Sequence, residues 1–227
     1  MKTRILIIGG MGPQASIDLH HRIISRAAIE GANDCEDFPM IAHYSLPASD
    51  SGMTDPSKLH ETFEVVAGQL PINCGHLFTH VIIACNTMHV FIDDFENLLG
   101  VRPMSLIERT VAHVNKLDIE KVGLLATPTT VQSGLYSQRM EKFGVEAVTL
   151  NIKYMADTEK EIQKVIGGEL QTQVIERQIS DLISQGCERV ILGCTELSVL
   201  NTAAKFENCI DPLDCVVEEI FRQDNRV

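Results

Sequence analysis

No stretch of the sequence carries enough consecutive apolar residues to cross a membrane as a helix. The hydrophobic fraction of 44% and charged fraction of 22% are those of an ordinary globular chain, not a disordered one. Clustered lysine and arginine are also missing, and the formal net charge is −12. Phosphate neutralisation therefore has no candidate patch, which argues against a nucleic-acid partner; the acid excess serves solubility. Met1-Lys2-Thr3-Arg4 runs straight into Ile5-Leu6-Ile7-Ile8 and Gly9-Gly10, an apolar run too short for a signal peptide and readable as a first β-strand. The seven cysteines lack the paired spacing of a disulfide scaffold or a zinc site. Reduced thiols in a cytoplasmic protein are the expectation. The eight histidines show no metal-ligand spacing, and no lysine sits where a Schiff base is suggested, so neither a metal nor a pyridoxal cofactor is expected. A soluble enzyme or small-molecule-binding protein remains.

What is present is an alternation. Short β-branched runs at Arg4 to Ile8, Met40 to Tyr44, His80 to Ala84, Lys121 to Ala126, Ala147 to Asn151 and Arg189 to Leu192 are separated by helical patterns, which predicts an α/β fold of parallel strands and crossover helices. Asp55-Pro56 reads as cap and first turn of a helix with Leu59, Phe63, Val66 and Leu70 on one face, closed at Gly75. The chain also echoes itself. Val81-Ile82-Ile83-Ala84-Cys85-Asn86-Thr87 is matched by Val190-Ile191-Leu192-Gly193-Cys194-Thr195-Glu196, and Arg4 to Gly9 resembles Lys121 to Ala126. Two similar Rossmann-like lobes follow, residues 1–104 plus 211–227 and residues 105–210, with the crossover at Pro103 and the return after Asp211-Pro212. The last helix, through Leu213, Val216, Val217 and Ile220, should pack on the first lobe. Ligands of such sheets bind at the carboxyl ends of the strands, here in the cleft between lobes.

Cys85 and Cys194 each end a buried strand where a helix can begin, so helix-start N–H groups should lower their pKa from about 8.5 and make a thiolate accessible near neutral pH. A lone buried cysteine is ordinarily just a small apolar residue; the matched context of these two argues for chemistry. Inverting a carbon centre needs a proton removed from one face and another delivered to the opposite face, and two lobes supply two such groups. Asn86, Thr87 and Thr195 follow the thiols and can hydrogen-bond an anion gaining charge. Thr127-Pro128-Thr129-Thr130, with Ser133, offers hydroxyls and N–H groups for a carboxylate, although capping also accounts for them. Gly9-Gly10-Met11-Gly12-Pro13 is a turn where backbone at Met11 can approach a ligand closely, with Pro13 opening a helix; it is not a G-x-G-x-x-G fingerprint. His89, four residues from Cys85, is a candidate for supporting that cysteine.

These segments resemble the aspartate/glutamate racemase family: Gly9-Gly10-Met11-Gly12-Pro13, Cys85-Asn86-Thr87, Gly123-Leu124-Leu125-Ala126-Thr127, Ser133-Gly134-Leu135-Tyr136 and Gly193-Cys194-Thr195-Glu196-Leu197. The resemblance spans nearly the whole chain. It implies pyridoxal-independent racemisation with Cys85 and Cys194 as catalytic pair, no cofactor, and a homodimer. Two departures bear on substrate. Aspartate racemases of this type carry a Pro-x-x-Asp-Arg-Thr-like segment, whereas Pro47-Ala48-Ser49-Asp50-Ser51 puts Ser51 at the arginine position. Ile166 stands where a second basic residue usually precedes Gly168, with Lys164 two positions away. An aspartate side chain would then lose its charge partners, and an unpaired buried carboxylate costs several kcal/mol. Racemisation of a free amino acid is the leading expectation, aspartate or glutamate by family and broader specificity by these departures. Related hydantoin racemase, maleate isomerase or arylmalonate decarboxylase chemistry is the alternative on the same lobes. A non-catalytic small-carboxylate-binding protein is the alternative of another class.

Overall fold

The computed structural model describes residues 3–49 and 51–224. The chain begins β1 (Arg4–Gly9), α1 (Pro13–Ile29), β2 (Met40–Ser45), α2 (Ser51–Thr54), α3 (Leu59–Ala67), β3 (His80–Ile83), α4 (Ile92–Leu99) and α5 (Leu106–Val114). It continues with β4 (Lys121–Leu125), α6 (Pro128–Gln132), α7 (Ser137–Glu141), β5 (Glu146–Thr149), α8 (Ile152–Ile166), α9 (Gln173–Ser184), β6 (Arg189–Leu192), α10 (Thr195–Ala204), β7 (Cys209–Ile210) and α11 (Pro212–Asp224). Every strand pairing is parallel, in a sheet ordered β2-β1-β3 and a second ordered β5-β4-β6-β7. β1, β3, β4 and β6 are buried along nearly their whole length, which is why they read as unbroken apolar runs: helices cover both faces of a parallel sheet. The sheets match further than their strand counts suggest, because Met104 bridges β3 in parallel just where β7 joins β6.

The helix following each of these outermost segments crosses to the other sheet. Ile107, Val111 and Val114 of α5 pack with Val122 and Leu124 of β4. Leu213, Val216, Val217 and Ile220 of α11 pack with Ile5 and Ile7 of β1 and Leu19 and Ile23 of α1. The two lobes are therefore interlocked by their cores. One sequence expectation needs correction. The helix after Pro56 opens as a 3₁₀ turn capped by Asp55 and ends at Ala67, with Gly68 capping it, not at Gly75, because Pro71 cannot continue it. Gly75 instead lies in a 3₁₀ turn before β3, where a Cβ would stand 2.7 Å from the Leu99 carbonyl. β7 was not anticipated. None of the seven cysteines forms a disulfide, and no helix among the described residues is long and apolar enough to cross a membrane.

Candidate active site

At the carboxyl ends of the strands, between the lobes, lies a cavity of about 420 Å³, within the size range of small-molecule sites. Cys85, Asn86, Thr87 and Met11 line it from the first lobe, and Thr127, Cys194 and Thr195 from the second. Cys194 is the N-cap of α10. Cys85 leads not into an α-helix but into a 3₁₀ turn, Thr87–Phe91, ahead of α4. The Thr195 hydroxyl donates to the Ala84 carbonyl at 3.3 Å, tying the end of β3 to the start of α10. Three anticipated residues stand off the cavity. Thr130 sits behind it, its hydroxyl 2.7 Å from that of Thr87 and 3.0 Å from that of Thr127, so it supports the two hydroxyls that line the wall. Thr129 donates to the Gly52 carbonyl at 3.2 Å. Ser51 lies beside Ser49, their hydroxyls 2.9 Å apart, and it is Ser49 that reaches the cavity. Asp50, in the same segment, lies outside the described residues.

The closest partner of Cys194 escaped the sequence reading. Glu196 is fully buried, accepts the Cys194 S–H at 2.9 Å through Oε2 and accepts the Gly12 N–H at 3.0 Å through Oε1. Gly12 is required for this approach, since a Cβ there would stand 2.8 Å from Oε1. Burial pushes the Glu196 carboxyl up, against the S–H and N–H groups that favour its ionised form. Asn86 is oriented in a comparable way. The Tyr136 hydroxyl donates to its Oδ1 at 2.6 Å, and its Nδ2, buried and unpartnered, is left as a free donor.

The thiolate expectation also needs correction. Burial, followed by the charge of Glu196, pushes the Cys85 thiol up to about 12, against the N–H groups of Met88 and Thr87 and the Thr87 hydroxyl. Burial, followed by Glu196, likewise raises Cys194. The helix-start donors are present, but desolvation in a closed cavity outweighs them. The environments of the two sulfurs nevertheless differ in kind: hydrogen-bond donors surround Cys85, whereas Cys194 gives its proton to a carboxylate.

His89 fixes Cys85 from behind. Its Nδ1 lies 2.8 Å from the Cys85 carbonyl, and its Nε2 accepts the Leu106 N–H at 3.0 Å. A carbonyl only accepts and a backbone N–H only donates, so the ring is the neutral Nδ1–H tautomer. Burial lowers its pKa from 6.5 to about 4. The unfolded chain takes up this proton below about 6.5 and the folded chain does not, so stability present above that pH is lost as pH falls toward 4. The gap is worth about 3 kcal/mol. Urea unfolding of the wild type should show that loss between pH 7 and pH 4, and His89→Asn should flatten it by a similar amount; parallel profiles would contradict the assignment.

Fold and site together define the chain as an isomerase of the two-lobed α/β kind. It belongs to the Asp/Glu/Hydantoin racemase family, whose sequence profile matches residues 8–220. The broad-specificity amino-acid racemase RacX of Bacillus subtilis is 22% identical over 203 residues, 86% of this chain and 86% of its own length. The aspartate racemase of Picrophilus torridus superposes with a TM-score of 0.73 at 21% identity, covering 97% of this chain and 94% of that one. A glutamate racemase of Francisella tularensis, solved with D-glutamate, superposes at 0.62 and 17% identity, covering 100% and 82%. At such identities the superpositions speak for the fold.

Proposed function

We propose that the chain is a cofactor-independent amino-acid racemase in which Cys85 and Cys194 act on opposite faces of the α-carbon. The observation that carries this reading is that both thiols, each at the end of an echoed strand, open on one cavity. The α-carboxylate of the substrate takes the free Nδ2 of Asn86 and the hydroxyls of Thr87 and Thr127. Its ammonium group supplies a positive charge that the described residues lining the cavity do not, and so favours a thiolate nearby. In the state with Cys85 as the thiolate and Cys194 holding its proton, hydrogen-bonded to Glu196, Cys85 is the base. The C–H bond breaks, an S–H bond forms on Cys85, and the electron pair delocalises into the carboxylate. Cys194 then delivers its proton to the other face, leaving a thiolate there that serves as base in the reverse direction. Donors to the carboxylate stabilise charge that develops only during transfer.

The swapped packing of α5 and α11 supports a division into lobes of residues 1–104 plus 211–227 and 105–210. The family resemblance favours a homodimer, and cysteines without a disulfide spacing pattern favour a cytoplasmic location. Incubation with single amino acids in deuterated water tests the function. Loss of the α-proton signal together with decay of optical rotation is expected for at least one of them. Ligand-dependent thermal stabilisation with no exchange for any amino acid would favour a carboxylate-binding protein instead.

A further inference from the structure

Among the described residues, the wall that α8 gives to the cavity carries a negative group and no positive one. Glu159, Ile162, Gln163 and Ile166 face the cavity, at the three- and four-residue spacing of one helical face. Lys160 and Lys164 of the same helix are turned elsewhere and paired, Lys160 with Asp157 at 2.9 Å and Lys164 with Glu161 at 2.8 Å. No lysine, arginine or histidine is among the described residues that line the cavity. The Glu159 carboxylate is half-buried and has no hydrogen-bond or ion-pair partner among the described residues.

Ile166 marks the reacting end of this wall, since a Cβ on Gly12 would lie 3.1 Å from its Cγ1 and 2.8 Å from Glu196 Oε1. Glu159 is seven residues earlier, about 10 Å along the helix axis. Between them Ile162 and Ile166 offer apolar surface suited to a run of methylenes. An acidic side chain directed along this wall meets no cation among the described residues and ends near a like charge. A side chain with a long aliphatic stem and a cationic tip matches each part of the wall in turn.

Resting on the racemase reading above, we propose that Glu159 is the specificity-determining residue of the side-chain pocket, selecting α-amino acids of the lysine, ornithine and arginine type and disfavouring aspartate and glutamate. The test compares α-proton exchange for lysine, its uncharged isostere norleucine, and glutamate. The wild type should exchange lysine about fivefold faster than norleucine or better, as a partly screened ion pair allows, with glutamate slowest. Glu159→Gln should bring lysine down to norleucine, and Glu159→Lys should move glutamate ahead of lysine. A wild-type preference for glutamate, or a lysine-to-norleucine ratio unchanged in Glu159→Gln, overturns the proposal and leaves racemisation intact. If no amino acid exchanges, the racemase reading fails instead, and thermal stabilisation by the same three ligands decides the pocket. Stabilisation by lysine over norleucine that disappears in Glu159→Gln supports the assignment; equal or absent stabilisation overturns it.

Discussion

Cys85→Ala and Cys194→Ala should each lower racemisation by about 10²- to 10⁴-fold, the contribution expected of a positioned general acid or base. The loss should not be uniform across reactions. With one thiol gone, the other can still remove the α-proton of the enantiomer that presents it, and solvent deuterium returns to the same face without inversion. Exchange should therefore persist for one enantiomer in Cys85→Ala and for its mirror image in Cys194→Ala, while optical rotation barely changes in either. Cysteine-to-alanine changes at these buried positions remove a single sulfur, so folding is expected to survive. Undiminished racemisation in either variant would end the two-thiol mechanism. Glu196→Gln provides a complementary readout. Burial and the Glu196 charge both raise the thiols, so neutralising the charge should move the rising limb of the pH–rate profile to lower pH. A lost structural contact alone would slow the reaction without that shift.

How much of this was legible in the sequence follows from how far apart the interacting residues lie. The sheet strands were readable because a parallel strand covered on both faces is a continuous apolar run, and the two thiols were readable because the strand ends repeat. β7 was not, since two residues, Cys209–Ile210, carry no periodicity. The nearest neighbours of Cys85 and Cys194 were legible as adjacent polar residues, but their roles depend on long-range contacts. Glu196 meets Gly12 across 184 positions, and Tyr136 orients Asn86 across 50. The three threonine hydroxyls of Thr127-Pro128-Thr129-Thr130 read as equivalent ligand donors or caps; the helix rotates Thr129 toward Gly52 and puts Thr130 behind the wall. That Ser49 and not Ser51 reaches the cavity is a choice that no local rule fixes. Thiol acidity is not legible in the sequence for a related reason: capping is local, whereas desolvation depends on everything that closes the cavity.

Arg22→Met should destabilise the protein by about 3–5 kcal/mol, the cost of leaving a buried carboxylate without its partner. Arg22 stands on α1 with a side chain only 11% exposed, and all five of its N–H donors are used. Nε donates to Asp18 at 2.9 Å, Nη1 to Asp211 at 2.8 Å and Asp214 at 2.6 Å, and Nη2 to the Ser198 carbonyl and the Thr202 hydroxyl, both at 2.7 Å. Asp211, itself buried, also accepts from Ser198 at 2.6 Å and Asn201 at 3.1 Å. Ser198 and Thr202 lie on α10, whose first turn follows Cys194, so one guanidinium joins the first lobe to the helix that begins at this thiol. For a chain of this length the loss corresponds to roughly 6–20 °C in Tm, measurable by thermal or urea unfolding. Arg22→Lys should fall between, because it keeps the charge but has three donors and no planar fork. Adding Asp211→Asn to Arg22→Met should recover part of the stability, since a buried amide costs less to leave unpaired than a buried charge. Racemisation should drop with the clasp as well, as displacement of a reacting group by about 1 Å can cost about 10²-fold. A loss below about 1 kcal/mol, typical of exposed ion pairs, would mean that the apolar exchange of α5 and α11 alone holds the lobes in register.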